Sequence, residues 1–270
     1  MSSQHKTQRG FTLIEIIVTI VIVSILGIGI VNFISRSVQG VADSADRQHI
    51  AAIAWVVSEK VSRGVRDALP NSFRVNSASG TGTCVEYIPT VGGTDYLAVP
   101  TLVAADNFEV VPFPNYAAGD VDSARDRVAV YPNTLSGLYS LANPGTISSG
   151  LVSQLSAGTT VNALTLELNA AHQFLTDSPT RRLYIVRPPE MFCFVGEFLN
   201  YYSGYGFQSS IPDPTSLTPA VVASQLSNGS FVYTPGTPSR AGVVTLSFDV
   251  VDAGGAMQSI AQEVQVRNVP

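Results

Sequence analysis

The sequence predicts an α+β protein: one long N-terminal helix packed on a large, mainly antiparallel β body. Three observations predict it. From Phe11 to Ile34 almost every side chain is aliphatic or aromatic. From residue 35 to residue 70 apolar residues recur at helical spacing. From Asn71 onward the apolar period moves towards two, and Gly and Pro, 22 and 16 in the whole chain, punctuate it.

The apolar run comes first. Phe11 to Phe33, as a helix, extends roughly 35 Å and spans a bilayer's hydrocarbon core. A secretory signal peptide has a shorter apolar core and a small-residue cleavage site after it. Here the run continues into Asn32-Phe33-Ile34-Ser35-Arg36, so it is expected to stay as a membrane-spanning segment over 11–34. Lys6 and Arg9 precede it, which places the N-terminus in the cytoplasm and the body outside. Glu15 is the anomaly, because a carboxylate within a membrane helix is costly and calls for a partner or a function. One reading lets it reach the headgroups. The other pairs it with a new α-amino group on Phe11 of a neighbouring subunit, formed if the leader is cut after Gly10.

The helix is expected to continue to about Ala68. Ile50, Ile53, Val57, Val61, Val65 and Ala68 make one apolar stripe. Asp43, Asp46, Arg47, Glu59, Lys60, Arg63, Arg66 and Asp67 lie mostly off it, making 35–70 amphipathic. Pro70 and Asn71 end it. Gly27, Gly29 and Gly40 are points where it can bend. The single tryptophan, Trp55, is expected at the helix–sheet seam. Arg63, Arg66 and Arg74 read as a solvated face, with an anion site as the alternative.

Residues 71–270 form the β body, read as one domain. Expected strands are Ser72–Val75, Cys84–Ile88, Asp95–Val99, Phe108–Val111, Arg127–Tyr131, Val161–Leu168, Arg182–Arg187, Met191–Val195, Ser230–Thr234, Val243–Val251 and Gln258–Val266. The last two form a hairpin around Asp252-Ala253-Gly254-Gly255. A short helix is expected at Pro219–Leu226. Cys84 and Cys193, the only cysteines, read as one disulfide in an exported domain, or else as two buried thiols.

Net charge is −5 and charged residues are 13% of the chain, so no general attraction to nucleic acid or anionic lipid is expected. Nothing points to an enzyme or a cofactor. The histidines are His5, His49 and His172, which leaves no Ser-His-Asp set and no zinc spacing. Asp120, Asp122 and Asp126 read as a polar turn, with calcium ligation as the alternative. Phe192, Phe194, Phe198, Tyr201, Tyr202, Tyr205 and Phe207 read as a buried strand and packed loop, or else as an exposed sugar-binding set.

Arg9-Gly10-Phe11-Thr12-Leu13-Ile14-Glu15 before a long apolar helix resembles the processing site of type IV prepilins and type II secretion pseudopilins. The resemblance implies that residues 1–10 are a cleaved prepilin leader. It implies cleavage by a prepilin peptidase between Gly10 and Phe11, N-methylation of Phe11, and assembly charge pairing through Glu15. Implied partners are other minor and major pilins and the inner-membrane assembly platform. The implied location is the bacterial inner membrane, single-pass with a periplasmic body, and then the pilus at the cell surface. The body is large for a major pilin. Ala68-Leu69-Pro70-Asn71-Ser72, Cys84-Val85-Glu86-Tyr87-Ile88-Pro89, Arg127-Val128-Ala129-Val130-Tyr131-Pro132 and the ending Val264 to Pro270 resemble the MshO-type minor pilins of the mannose-sensitive haemagglutinin pilus, relatives of J-type pseudopilins and PilW. That implies priming or capping of a filament tip. The alternatives are a minor pseudopilin of a type II secretion system and a tip adhesin binding surface glycans.

Overall fold

The structure, a computed structural model, describes residues 11–77, 81–135, 137–236, 240–251, 255 and 257–266. Gly10 and the rest of the leader, Asp252-Ala253-Gly254 of the hairpin turn, and residues 267–270 lie outside the described residues. The chain divides into two units, Met1–Ala51 and Ala52–Pro270. One long apolar helix and a large antiparallel β domain make it an α+β protein.

Helix α1, Leu13–Arg66, has 54 residues and extends roughly 81 Å at the standard rise. It is unbroken at Gly27, Gly29 and Gly40, where an added Cβ would meet nothing within 4 Å. In the first unit its apolar side chains are exposed from Phe11 through Val41, apart from half-buried Gly27 beside them. Two hydroxyls within the apolar run, those of Thr19 and Ser24, are satisfied within the helix. Thr19 Oγ1 donates to the Ile16 carbonyl at 2.9 Å and Ser24 Oγ to the Ile20 carbonyl at 2.7 Å, which is what a segment surrounded by hydrocarbon requires. The helix ends at Arg66, and Asn71 adopts a left-handed backbone with φ 60°, a conformation Asn tolerates well.

In the second unit the stripe of α1 is buried: Val57, Val61 and Val65 are fully enclosed. Gly64 lets the helix lie directly on Tyr87 and Phe192. Trp55 is the correction here. It is 68% exposed, because two residues before Val57 is about 200° away around a helix of 3.6 residues per turn.

Four antiparallel sheets follow. The first has the order β1-β3-β10-β11-β12 (Arg74–Val75, Cys84–Tyr87, Glu190–Val195, Phe198–Tyr202, Ala220–Ala223). The second is β15-β14-β13-β2 (Met257–Gln265, Val243–Val251, Leu226–Thr234, Thr81–Gly82). The others are β4-β9-β6 (Thr90–Asp95, Arg182–Val186, Arg127–Val130) and β5-β8-β7 (Ala105–Val110, Leu164–His172, Val152–Ala157). The last two share a core built on Phe108, Val128, Leu166, Phe174, Leu183 and Ile185. The helix meets the first sheet at Gly64 and the second through Gln262, whose amide donates to Ser62 Oγ at 3.0 Å.

Several elements differ from expectation. Pro219–Leu226 is not helical: β12 pairs there with β11, Asn200 opposite Val221, as the β-branched pair Val221-Val222 favours. The strand expected at Asp95–Val99 lies earlier, at Thr90–Asp95, with a register shift between Thr90 and Gly92. Strands β2, β7 and β11 were not expected. Val161 sits 86% exposed ahead of β8 instead of opening it.

Candidate functional sites: the capped helix start and the clamped body

Thr12 stands immediately before the first helical residue, and Glu15 is the third residue in. The Glu15 N–H donates to Thr12 Oγ1 at 3.4 Å. In return the Thr12 backbone N–H and hydroxyl both donate to Glu15 Oε2 at 3.5 Å. This is a capping box, which satisfies helix-end donors reciprocally, and it holds the carboxylate at the positive end of the helix dipole. Glu15 thus has partners on its own chain, which the sequence reading missed although Thr12-x-x-Glu15 is the box's signature. Phe11 lies beside the box and is 76% exposed. The carboxylate keeps acceptor capacity for a cation delivered from outside the helix.

In the body, the three arginines weighed as an anion site are separated in role. Arg63 pairs with Glu59 at 2.8 Å on the surface, and Arg66 is exposed. Arg74 is instead the centre of a buried network. Its Nε meets the Glu86 carboxylate. Its two terminal nitrogens donate to the carbonyls of Ser209 and Gln208, each at 2.8 Å. Its guanidinium stacks 3.6 Å from the Tyr139 ring centroid. Glu86 is fully buried and also accepts from the Tyr205 hydroxyl at 2.9 Å. Burial holds its carboxyl above the usual range, against the pull of Arg74 and Tyr205.

This network ties the 203–217 loop to the first sheet, and the same loop covers the disulfide. Cys84 and Cys193 are bonded, face each other across β3 and β10, and are buried with Met191 and Tyr202. Tyr205, Ile211 and Leu217 of the loop pack against that cluster.

Asp120, Asp122 and Asp126 are each engaged separately. Asp126 is fully buried and accepts from Arg187 Nε at 2.8 Å, the Tyr116 hydroxyl at 2.7 Å and the Asp122 N–H at 2.8 Å. Burial, and then the bond to Asp126, push the Tyr116 hydroxyl far above its ordinary pKa. Asp122 pairs with Arg125 at 2.6 Å, and Asp120 accepts from the Ala117 N–H at 2.8 Å. Among the described residues no three His, Cys, Asp or Glu side chains gather as a metal site.

The aromatic tract is divided, with Phe198 43% exposed and the other six buried or half-buried. Phe192 and Tyr202 are buried, and Phe194 tilts against Phe231 at 5.1 Å. Tyr205 serves Glu86, and Phe207 lies 5.8 Å under Arg127. Tyr201 is half-buried beneath Lys60, whose Nζ is 5.1 Å from the ring centroid. Beside it is a cavity of about 270 Å³, reached by Lys60, Gly64, Tyr87, Glu190 and Phe192. There the Tyr87 hydroxyl donates to Glu190 at 3.0 Å. His172 is enclosed. Its Nδ1 accepts from the Ser149 N–H at 3.2 Å, so Nε2 carries the proton and donates to the Gly145 carbonyl at 3.2 Å.

Residues 5–31 match the family model described as the prokaryotic N-terminal methylation motif. The match takes in part of the leader, Phe11, the capping box and the first turns of α1. It supports a type IV pilin-like or pseudopilin subunit, processed by a prepilin peptidase and assembled with other pilins, and together with the apolar helix it fits membrane anchoring. No curated protein and no solved structure matches the chain.

Proposed function

We propose that the chain is a minor pilin-like structural subunit needed for assembly of a type IV pilus of the mannose-sensitive haemagglutinin type, where it primes or caps the filament tip. The observation that carries the proposal is the methylation motif joined to a capped, continuous apolar helix. Gly10 is the cut site, Phe11 the methylated N-terminus, and Glu15 the carboxylate that answers the new amine. Before assembly the apolar helix is the anchor; afterwards it packs among other helices. The large disulfide-bonded body and its MshO-like stretches favour a minor subunit over a major one.

The body acts by contact and carries no catalysis in this reading. A type II secretion pseudopilin shares the same processing and is separated from a pilin by which system fails when the gene is deleted. The tip-adhesin reading keeps only part of the tract it relied on, because Phe192 and Tyr202 are buried whereas Phe198 is exposed and Tyr201 half-buried.

Gly10→Val tests the processing. Wild-type chain is expected to lose residues 1–10 and to begin with N-methylphenylalanine, read by intact-mass spectrometry. The variant should keep its leader, and cells carrying it should make few pili. A variant shortened to Phe11 overturns the processing assignment.

A further inference from the structure

The cavity of about 270 Å³ beside Tyr201 has an aromatic floor. Tyr87 stacks on Phe192 with 6.1 Å between centroids, and Phe192 tilts against Tyr201 at 5.3 Å. Strand pairing builds this row. Glu190 stands opposite Tyr87 and Phe192 opposite Tyr201, so the four side chains share one face of the first sheet. Glu190 is half-buried among the rings. It accepts from the Tyr87 hydroxyl at 3.0 Å, and the Tyr201 hydroxyl bonds the same carboxylate. A carboxylate has about four acceptor positions, so Glu190 keeps capacity for another donor.

The rim comes from α1. Arg63 is neutralised by Glu59 at 2.8 Å. Lys60 offsets one of the two remaining carboxylates, Asp67 and Glu190, which leaves the site one net negative charge. The ammonium of Lys60 rests 5.1 Å from the Tyr201 centroid, so the ring already hosts a cation of the chain's own. Lys60 is exposed, and a cation–π contact at an exposed position is weak. A guest can therefore displace it readily.

We propose that this cavity binds a primary alkylammonium ion, with Lys60 as a built-in competitor. The guest's N–H groups donate to Glu190, its charge lies against the Tyr201 face, and Asp67 adds attraction from the rim. An anion would meet both carboxylates. A hard metal ion needs six or more oxygen ligands, where this floor offers rings. The volume lies below that of pockets for drug-sized ligands, which suits a small amine. The inference does not rest on the filament reading.

The test is isothermal titration calorimetry of the full mature chain in detergent, at pH 7 and constant ionic strength. n-Butylammonium chloride should bind saturably with Kd on the order of 1 mM, and uncharged n-butanol should not. Lys60→Met removes the competitor and should tighten binding about two- to fivefold, as loss of an exposed cation–π contact implies. Glu190→Gln keeps the shape without the charge and should weaken it roughly tenfold. Asp67→Asn, at an exposed rim position that folding tolerates, should weaken it about threefold. Nα-acetyl-lysine methylamide binding more tightly than butylammonium would make the source a lysine of a partner chain, and weaker binding would make it a free amine. Butanol binding as well as butylammonium overturns the proposal. So does a Lys60→Met chain that binds no more tightly than wild type, or an affinity indifferent to both Glu190→Gln and Asp67→Asn.

Discussion

Gly64→Ala sets two effects of opposite sign against each other. In an open helix interior the exchange stabilises by about 0.5–1 kcal/mol, because glycine loses more backbone freedom on folding. At Gly64 the new Cβ would lie 2.4 Å from the Tyr87 hydroxyl oxygen, 2.9 Å from its Cζ and 3.2 Å from Phe192 Cε2. The rings can yield only towards the cavity they line with Glu190, and doing so disrupts their packing. Tyr87 and Phe192 are 2% and 1% exposed, and the Tyr87 hydroxyl is bonded to Glu190 at 3.0 Å. Ordinary contact distances need the helix to lift by on the order of 1 Å. Overpacking of this kind costs about 1–3 kcal/mol, so the net expectation is a loss of about 1–2 kcal/mol. Gly64→Val, with two further methyl groups, should lose more.

The assay is denaturant unfolding of the mature chain in detergent, followed by far-ultraviolet circular dichroism. Gly40→Ala is the control, since a Cβ there meets nothing within 4 Å, and it should cost nothing. Tyr87→Phe removes the nearest atom, so the double variant with Gly64→Ala should lose roughly 0.5–1 kcal/mol less than the sum of the singles. If Gly64→Ala stabilises the protein as an open helix position would, the close approach of α1 to β3 and β10 is wrong.

The disulfide closes a sequence separation of 109 residues, so Cys84→Ser with Cys193→Ser should cost about 4–5 kcal/mol by loop-closure entropy, read from the same unfolding curves. Arg74→Met leaves the Glu86 carboxylate buried without its cation and should cost about 3–5 kcal/mol, whereas adding Glu86→Leu should recover much of it. That variant should also speed reduction of the disulfide by a small thiol, measured by trapping free Cys84, because the 203–217 loop loses its tie. Burial holds His172 below its ordinary pKa of 6.5, with the positive Arg127 adding to the effect and the Gly145 carbonyl opposing it. The folded state therefore prefers neutral His172. Its contribution is fully present above pH about 6.5 and is lost as pH falls through the folded value. The stability difference between wild type and His172→Asn should shrink between pH 7.5 and pH 5, and a difference independent of pH refutes the assignment.

Legibility followed locality. The apolar run and the Val57-Val61-Val65 stripe are periodic over neighbouring turns, so the helix could be read directly. Long regular strands such as Val243–Val251 were legible for the same reason, with inward Val244, Leu246, Phe248 and Val250 alternating in sequence. Strand β7 was not, because its buried Val152 and Leu155 are three apart and a register shift between Val152 and Gln154 changes the phase. The two glycines of β4 erase its pattern altogether. Non-local partnerships left no trace. Arg74 meets Glu86 across 12 residues and Ser209 across 135, and Gly64 looks like any helix glycine until β3 is laid against it. The Thr12–Glu15 box, by contrast, is local and spelled out by Thr12-x-x-Glu15, but a carboxylate beside a membrane helix reads first as a charge.

That box changes how the role of Glu15 must be tested. Glu15→Val removes a charge and a cap together, and loss of a helix cap alone costs about 0.5–2 kcal/mol. A failure of Glu15→Val to enter filaments therefore does not separate pairing with a neighbour's Phe11 amine from fraying of the first turn. Glu15→Gln does separate them. Glutamine serves as well as glutamate at the third position of a capping box, but it offers no charge to an ammonium group. Both variants should insert in the membrane and lose residues 1–10, since the cut site is untouched. If charge pairing is what drives entry, Glu15→Gln should incorporate as poorly as Glu15→Val, judged by the fraction of subunit in sheared filaments against that left in membranes. Adding Thr12→Ala to wild type, which weakens the cap and keeps the charge, should then incorporate far better than either. Should Glu15→Gln assemble normally while Thr12→Ala fails, the carboxylate's work is capping and the assignment of Glu15 to the neighbour's amine is refuted.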